Sequence, residues 1–362
     1  MRISGGQLSG ATDILERATQ EGRILGAHLY VSYRNEVIAH VGFGNVVPGQ
    51  PAQAGDVCEM LCATKPLITV SVARAVETGL VGLDDTMARW APAGTAPKVA
   101  AISLRELLTH SSRLPNHLGP RVYDLTFDDY IAAVLKPEFP DGFWEAHPVY
   151  NIAQGWHLLG WVLQQTYSRP LTDVVWEMVL QPLGLSRTLL VDTDQVAKPF
   201  HRRSIEGGWV AVRDSAESAR ANRLNPAYGG SSTIGDLGRL YNHLGRCLAH
   251  DGILRTRTMR QLITDHGGVR FWHGDETRPF GLGFYLSGGG GGLGSAWDPG
   301  SFGHPGTIAS RCVVSAVCDP ASNTVVVLRV SNVGTANNAL FDKVGRAIRA
   351  DLRLPIADPA RV

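Results

Sequence analysis

Residues 59–70 read EMLCATKPLITV, with Cys62 two spacers ahead of Lys65 and an apolar run behind them. Leu67, Ile68, Val70, Val72, Ala75 and Val76 form an apolar helical stripe, so a helix is predicted here. Proline fits only in a first turn, where backbone N–H groups lack helical partners, so Pro66 puts the helix start close to itself. Gly79 closes the helix. Cys62 therefore lies at or just before the N-terminus. Residues three apart on a helix share a face, which sets Lys65 beside the Cys62 side chain. An ammonium and a helix N-terminus both favour the thiolate, the form of cysteine that attacks. The plain alternative is that Cys62 is an inert, buried core thiol.

Working outward, two strand-like runs precede this helix, GAHLYVSYR (26–34) and EVIAHVGFG (36–44), with Arg34-Asn35 at a hairpin turn. Helical patterns then dominate to about residue 248. SLRELLTH begins with Ser103 three residues before Glu106, the spacing of a capping box. GWHLLGWVLQQTY, PLTDVVWEMVLQPLGL and TIGDLGRLYNHLGRCL are further amphipathic candidates. Strand-like runs return in FGLGFYLS, GTIASRCVVSAVCD and NTVVVLRVSN, and a last helix, ALFDKVGRAIRADLR, ends the pattern. Strands at both ends with helices between them predict an α+β fold. One antiparallel sheet is built from the two termini, flanked by helices, with a mainly helical region inserted. The glycine tract 288–292 lies between strand candidates; no Lys-Ser/Thr follows it, so it reads as a flexible hairpin loop rather than a phosphate cradle.

A chain of 362 residues can bury a large core. Its net charge of +1 gives no electrostatic reason to expect nucleic acid or an anionic membrane as a partner. The opening residues lack the apolar segment of a signal peptide, and no apolar run approaches the roughly 20 residues of a membrane span, so a cytoplasmic enzyme is expected. The five cysteines (58, 62, 247, 312 and 318) are odd in number, which argues against a disulfide framework. Cys312 and Cys318, an even number apart in a strand-like run, should share one face as small apolar residues. Neither C-x-x-C nor H-E-x-x-H occurs, so no metal site or other cofactor is implied.

Taken together, CATKPLITVSVARAVETGLVGLDD, ISLRELLTHSSRLP, GWHLLGWVL, YGGSSTIGDLGRLYNHL, FGLGF and FGHPG resemble, in order, the landmarks of the serine β-lactamase and penicillin-binding-protein superfamily. The resemblance leans to the branch of class C β-lactamases, their esterase and D-aminopeptidase relatives and biosynthetic acyltransferases. It implies a β-lactamase/transpeptidase-like fold in one catalytic domain over 1–362. The α/β part would span about 1–60 and 250–362, and the helical part about 61–249. Cys62 stands where that family carries its nucleophilic serine, and Lys65 where it carries lysine; a serine-to-cysteine exchange in a serine enzyme would leave the same sequence.

The family's Tyr-x-Asn motif departs here. Counting back from Gly155 and Gly160 puts its tyrosine on Asn151 and its asparagine on Ala153, one step past Tyr150. The resemblance leads to Tyr150 as the acid/base with Asn151 as a polar neighbour on the substrate side, or else to Asn151 in the tyrosine's place. GHPG resembles the family's Lys-Thr-Gly strand in its His-x-Gly form, which implies His304 at the site and Gly306 where the acyl group lies against backbone. It also implies an oxyanion hole from the backbone N–H groups of Cys62 and Ile308. His110 is read as structural. Arg113, where the family usually has glycine, is either solvated or a ligand for a substrate carboxylate or phosphate. The pocket is expected around residues 122–144, 222–228 and the glycine loop.

The resemblance implies acyl transfer through an acyl-enzyme. A thioester reacts with amines more readily, relative to water, than an oxygen ester does. The expected activity is therefore transfer of an acyl group from a small ester or thioester donor to an amine acceptor without ATP, in a biosynthetic step. An ester or amide hydrolase is the second reading, and a catalytically inactive binding protein the third.

Overall fold

The computed structural model describes residues 2–3, 8–116, 125–136, 149–191, 196–212, 223–270, 277–286, 295–308 and 310–355. The two chain ends do build one antiparallel sheet. Its strands are β1 (Arg2–Ile3), β2 (Gly26–Tyr33), β3 (Glu36–Val47), β4 (Tyr285–Leu286), β5 (Phe302–Ile308), β6 (Arg311–Asp319) and β7 (Thr324–Val330), in the spatial order β1-β3-β2-β7-β6-β5-β4. The seam between the ends is β2 against β7, with Leu29 opposite Leu328. Arg34 and Asn35 have φ values of 51° and 66°, the two positive values a type I′ hairpin needs, and Tyr33 pairs with Glu36 across them.

Helices cover both faces. On one side lie α1 (Ser9–Gln20) and a long C-terminal helix, Asn337–Asp351; on the other lies Ile234–Arg246. This is why every residue of β7, TVVVLRV, is buried, with four apolar residues in a row, Val325 to Leu328, rather than an alternating pattern. In β2, Ala27, Leu29 and Val31 pack toward α1 while Tyr30 packs the other way. A Cβ on Gly238 would fall 2.3 Å from the Tyr30 ring, so glycine lets the helix Ile234–Arg246 rest directly on that ring. The buried Arg349 guanidinium bonds the Asp319 carboxylate at 2.7 Å and fastens the C-terminal helix to the end of β6.

The helix predicted from the opening stretch is α2 (Lys65–Glu77), with Pro66 in its first turn and Gly79 at φ 72° beyond its end. Its apolar stripe is wider than the sequence pattern suggests: every residue from Lys65 to Ala73 is buried. It runs through the middle of a helical layer against α3 (Gln154–Tyr167) and the Trp176–Leu180 turn, as a helix enclosed on all sides must. The Ser103–Glu106 capping box forms, with Ser103 Oγ accepting from the Glu106 N–H at 3.2 Å and Glu106 accepting from the Ser103 N–H at 2.8 Å.

Three details differ from expectation. The run GTIASRCVVSAVCD is two strands, β5 and β6, joined by a tight turn that brings Ile308 opposite Arg311. Of FGLGFYLS only Tyr285–Leu286 pairs as strand. Cys312 and Cys318 do not share a face. A bulge leaves Val313 out of register, since Gly306 pairs with Val314 and Thr307 with Cys312. The extra residue reverses the parity of the strand. Cys312 then joins the α1-side core and Cys318 the opposite one. The glycine tract 288–292, residues 122–124 and 137–144, and Asn222 lie outside the described residues. No helix among the described residues is long and apolar enough to cross a membrane.

His157 gives the helical layer a pH dependence. It stacks on Tyr130 with ring centroids 4.0 Å apart, donates from Nδ1 to the Ala153 carbonyl at 3.0 Å, and burial lowers its pKa to about 4. The neutral ring is favoured in the fold, so its contribution is fully present above the ordinary histidine pKa and is lost as pH falls from there through about 4. Such a shift is worth about 3 kcal/mol. Replacing His157 by phenylalanine, which keeps a stacking ring and removes the proton site, should make the loss of Tm between pH 7 and pH 4.5 smaller than in the parent. Parallel Tm–pH curves would contradict this.

Candidate active site

Cys62 sits at a corner. The chain pairs as Cys58–Glu59 against Ser231–Ser232, then turns at Leu61, which has φ 50°. A non-glycine residue in this left-handed region costs roughly 1–2 kcal/mol, so the surroundings must hold it. They do so through the Met60 N–H, bonded to the Gly230 carbonyl at 2.9 Å, and through Thr64. The Thr64 hydroxyl donates to the Leu61 carbonyl at 2.7 Å and accepts from the Gly230 N–H at 3.0 Å. A Cβ on Gly230 would fall 2.8 Å from the Thr64 side chain, which explains glycine at that place in YGGSST.

The corner continues as a 3₁₀ turn, Leu61–Thr64, before α2 begins. Side chains three apart eclipse in a 3₁₀ turn, so Lys65 lies over Cys62 more directly than an α-helix would place it. Lys65 is fully buried. Its Nζ donates to the carbonyls of Ile152 (2.9 Å) and Ala227 (3.0 Å), and the Cys62 side chain is its remaining polar neighbour. Burial lowers its pKa, while Cys62 acts in the opposite direction. The rings of Tyr150 and Trp156 flank the amine at 5.3 and 5.4 Å, and the Trp156 indole N–H donates to the Lys65 carbonyl at 3.1 Å.

Tyr150, and not Asn151, faces the nucleophile. Its hydroxyl has the side chains of Cys62 and Tyr285 as polar neighbours and lies 3.5 Å from His304 Nε2. Burial, then the neighbouring Cys62 and Tyr285, push its pKa well above the usual phenol value, so it is a proton donor at neutral pH. The Asn151 amide turns into the protein, donating to the Leu114 carbonyl at 3.1 Å and accepting from the Gly155 N–H at 3.0 Å. It is thus engaged with backbone groups of its own surroundings. Asn116 donates to the Tyr150 carbonyl and accepts from the Ile152 N–H, while His110 Nδ1 accepts from the Asn151 N–H at 2.9 Å. Successive residues of extended chain point to opposite sides, which is how one neighbour is a support and the other a reagent.

The segment LLTHSSRLPN is thus a cradle for the tyrosine loop. His110 stacks on Tyr150 with centroids 4.2 Å apart and has the structural place expected of it. Arg113 is exposed, and its φ of 57° is the conformation for which glycine is the natural residue.

On the sheet side, Phe302 packs into the core that faces Ile234–Arg246, and His304 and Gly306 follow at even spacing on the same face. A Cβ on Gly306 would lie 2.5 Å from the Met60 carbonyl and 3.0 Å from Leu61 Cβ, so β5 touches the nucleophile corner through glycine. His304 Nδ1 lies 2.8 Å from the Pro305 carbonyl, which only accepts; the proton therefore sits on Nδ1 and the Nε2 lone pair faces Tyr150. Burial and the nearby Lys65 hold the His304 pKa well below the usual histidine value, so it is neutral. Ile308 ends β5, two residues past Gly306.

Tyr285 is the site residue that sequence reasoning missed. It is buried edge-on to the His304 ring, centroids 4.9 Å apart, and bonds Tyr150. Its position depends on β4 pairing with β5, Tyr285 opposite Gly303, which no local pattern encodes. The other cysteines are buried, and burial drives the Cys58 thiol up to about 11. Among the described residues no group of His, Cys, Asp or Glu could hold a metal ion.

The Cys62 thiol, a buried lysine and a phenol thus converge beside a glycine strand. Esterase EstB from Burkholderia gladioli is 26% identical over 317 residues, which cover 76% of this chain and 78% of that protein. Among solved structures, EstCE1, titled a hydrolase with promiscuous acyltransferase activity, superposes with a TM-score of 0.79 at 20% identity, covering 95% of this chain and 98% of that one. A mutant of simvastatin synthase from Aspergillus terreus gives 0.72 at 18% identity over 97% and 96%. The beta-lactamase family profile matches residues 11–350, and the chain belongs to that family.

Proposed function

We propose that the protein transfers an acyl group from an ester or thioester donor to an amine through a Cys62 thioester. The observation that carries this is the hydrogen bonding of Lys65. A neutral amine has two N–H groups and one lone pair. The Ile152 and Ala227 carbonyls take the two N–H groups, and the lone pair is left for the Cys62 thiol. Proton transfer then makes the thiolate and a third N–H on Lys65 without moving a heavy atom.

The Cys62 sulfur attacks the donor carbonyl, forming the S–C bond. The oxyanion is received by the backbone N–H groups of Cys62 and Ile308. As the bond from carbon to the leaving group breaks, Tyr150 donates the proton that the departing oxygen or sulfur needs, and the Lys65 ammonium restores it. The amine then attacks the thioester, the C–N bond forms, the C–S bond breaks, and the amine's surplus proton returns to Cys62 through Lys65. The neutral His304 accepts from Tyr150 and orients it. Exposed Arg113 is the cation available to a carboxylate or phosphate on a substrate. No ATP, metal or other cofactor enters this scheme, and the expected setting is cytoplasmic.

The thiol itself favours a transferase, because a thioester reacts with amines more readily, relative to water, than an oxygen ester does, and Cys62 is only 9% exposed. An ester or amide hydrolase is the second reading, favoured by the similarity to esterase EstB and to the hydrolase EstCE1. The assembled Cys62, Lys65 and Tyr150 set weighs against an inactive binding protein.

Incubation with a panel of acyl esters and thioesters should yield, by intact-mass spectrometry, an adduct that maps to the peptide holding Cys62 and is absent in Cys62→Ala. Undiminished turnover in Cys62→Ala would end the covalent scheme. The choice between transferase and hydrolase rests on a second variant. Cys62→Ser should keep the fold but lower the ratio of amide product to free acid, at fixed amine, by roughly tenfold. A ratio that stays or rises would put the hydrolase reading first.

A further inference from the structure

A second cavity, of about 540 Å³, opens on the α1 side of the sheet, the side away from His304 and Gly306. Its walls come from α1, the hairpin His201–Ala211 and the start of the helix Asn337–Asp351. Every charged side chain on its lining is a cation: Arg23, Arg202, Arg203 and Lys343. Arg203 is held in place, over the Trp209 ring at 4.2 Å and donating to the Gly22 carbonyl at 2.7 Å. Arg23 is engaged with Glu21. Arg202 and Lys343, by contrast, are exposed and make no ion pair or hydrogen bond among the described residues. The rest of the lining is largely apolar and includes Ile24, Trp209, Val333 and Leu340. The positive end of the helix Asn337–Asp351, whose first turn holds no acidic residue, adds charge of the same sign.

Pockets of several hundred cubic ångströms, apolar with a few convergent polar groups, are where small molecules bind. An all-cationic set of charges on a largely apolar lining selects one class: a negative head carried on an apolar body. We infer that this cavity binds a small organic anion, a carboxylate, sulfonate or phosphate monoester on a flat apolar group. The head sits between Arg202 and Lys343 and the body lies against Trp209 and Leu340. The site is separate from Cys62 and does not depend on the acyl-transfer reading.

The probe is 1-anilinonaphthalene-8-sulfonate, titrated by fluorescence into the full chain. One saturable site is expected, with unchanged affinity after Cys62 has been capped with iodoacetamide. Its uncharged analogue N-phenyl-1-naphthylamine should bind at least tenfold more weakly. Arg202→Glu combined with Lys343→Glu should weaken the sulfonate at least tenfold while leaving the circular dichroism and the rate of Cys62 alkylation unchanged. Ala339→Trp, which keeps every charge and fills the wall, should weaken both probes and carries the test if the charge-reversed protein folds poorly. The absence of a saturable site, equal affinity for the charged and uncharged probes, loss on capping Cys62, or affinity unmoved in the folded variants would each overturn the proposal.

Discussion

A lysine amine with no access to water is the constraint around which this site is built. An ammonium buried here would find no carboxylate among the described residues, so burial shifts Lys65 toward the neutral amine, whose N–H groups still need acceptors. The fold supplies two backbone carbonyls from segments far apart in sequence, at Ile152 and Ala227, and Cys62 as the third partner. Each of those segments is itself pinned. The first hangs on Asn116 and His110, the second on the Asn225 side chain, which accepts from the N–H groups of Ala227 and Tyr228. Loss of either carbonyl would leave a buried donor unmatched, so the conformation of both loops is tied to the protonation chemistry at Cys62.

The same constraint orders the rest of the site. In the proposed scheme Lys65 takes the proton, so the phenol of Tyr150 is not needed as a base, and its burial keeps it a donor. His304 is kept neutral chiefly by the same apolar surroundings, and offers Tyr150 a lone pair. Charge is thus kept off the site until a substrate brings an oxygen on which it can develop, the arrangement in which fixed dipoles act most strongly. The left-handed turn at Leu61 is the strained element that aims the thiol at this arrangement, and the hydroxyl of Thr64 holds it in place.

The fold was legible from the sequence because its signals are local. Pro66, Gly79, the Arg34-Asn35 turn and the Ser103–Glu106 box each act within a few residues, and the two sets of strands announce themselves at opposite ends of the chain. The Cys62–Lys65 pair was legible for the same reason. What escaped depends on pairing between strands. The Val313 bulge reverses parity without a glycine or proline to mark it, and Tyr285 reaches the site only because β4 lies beside β5. The tyrosine loop shows the limit of motif counting. Ungapped spacing pointed to Asn151, whereas the chain places the Tyr150 hydroxyl at Cys62 and spends the Asn151 amide on backbone groups of Leu114 and Gly155.

The central claim is that Cys62 and Lys65 share a proton. Its most direct test is the rate of Cys62 alkylation by iodoacetamide as a function of pH, read on the Cys62 peptide, in the wild-type chain and in Lys65→Met, which keeps the length of the side chain without the amine. The account predicts that the variant reacts at least tenfold more slowly at pH 7 and recovers as the pH is raised, so that its curve lies to the alkaline side of the wild type. Superimposable curves would show that the amine does not act on the thiol, and the mechanism built on it would fall.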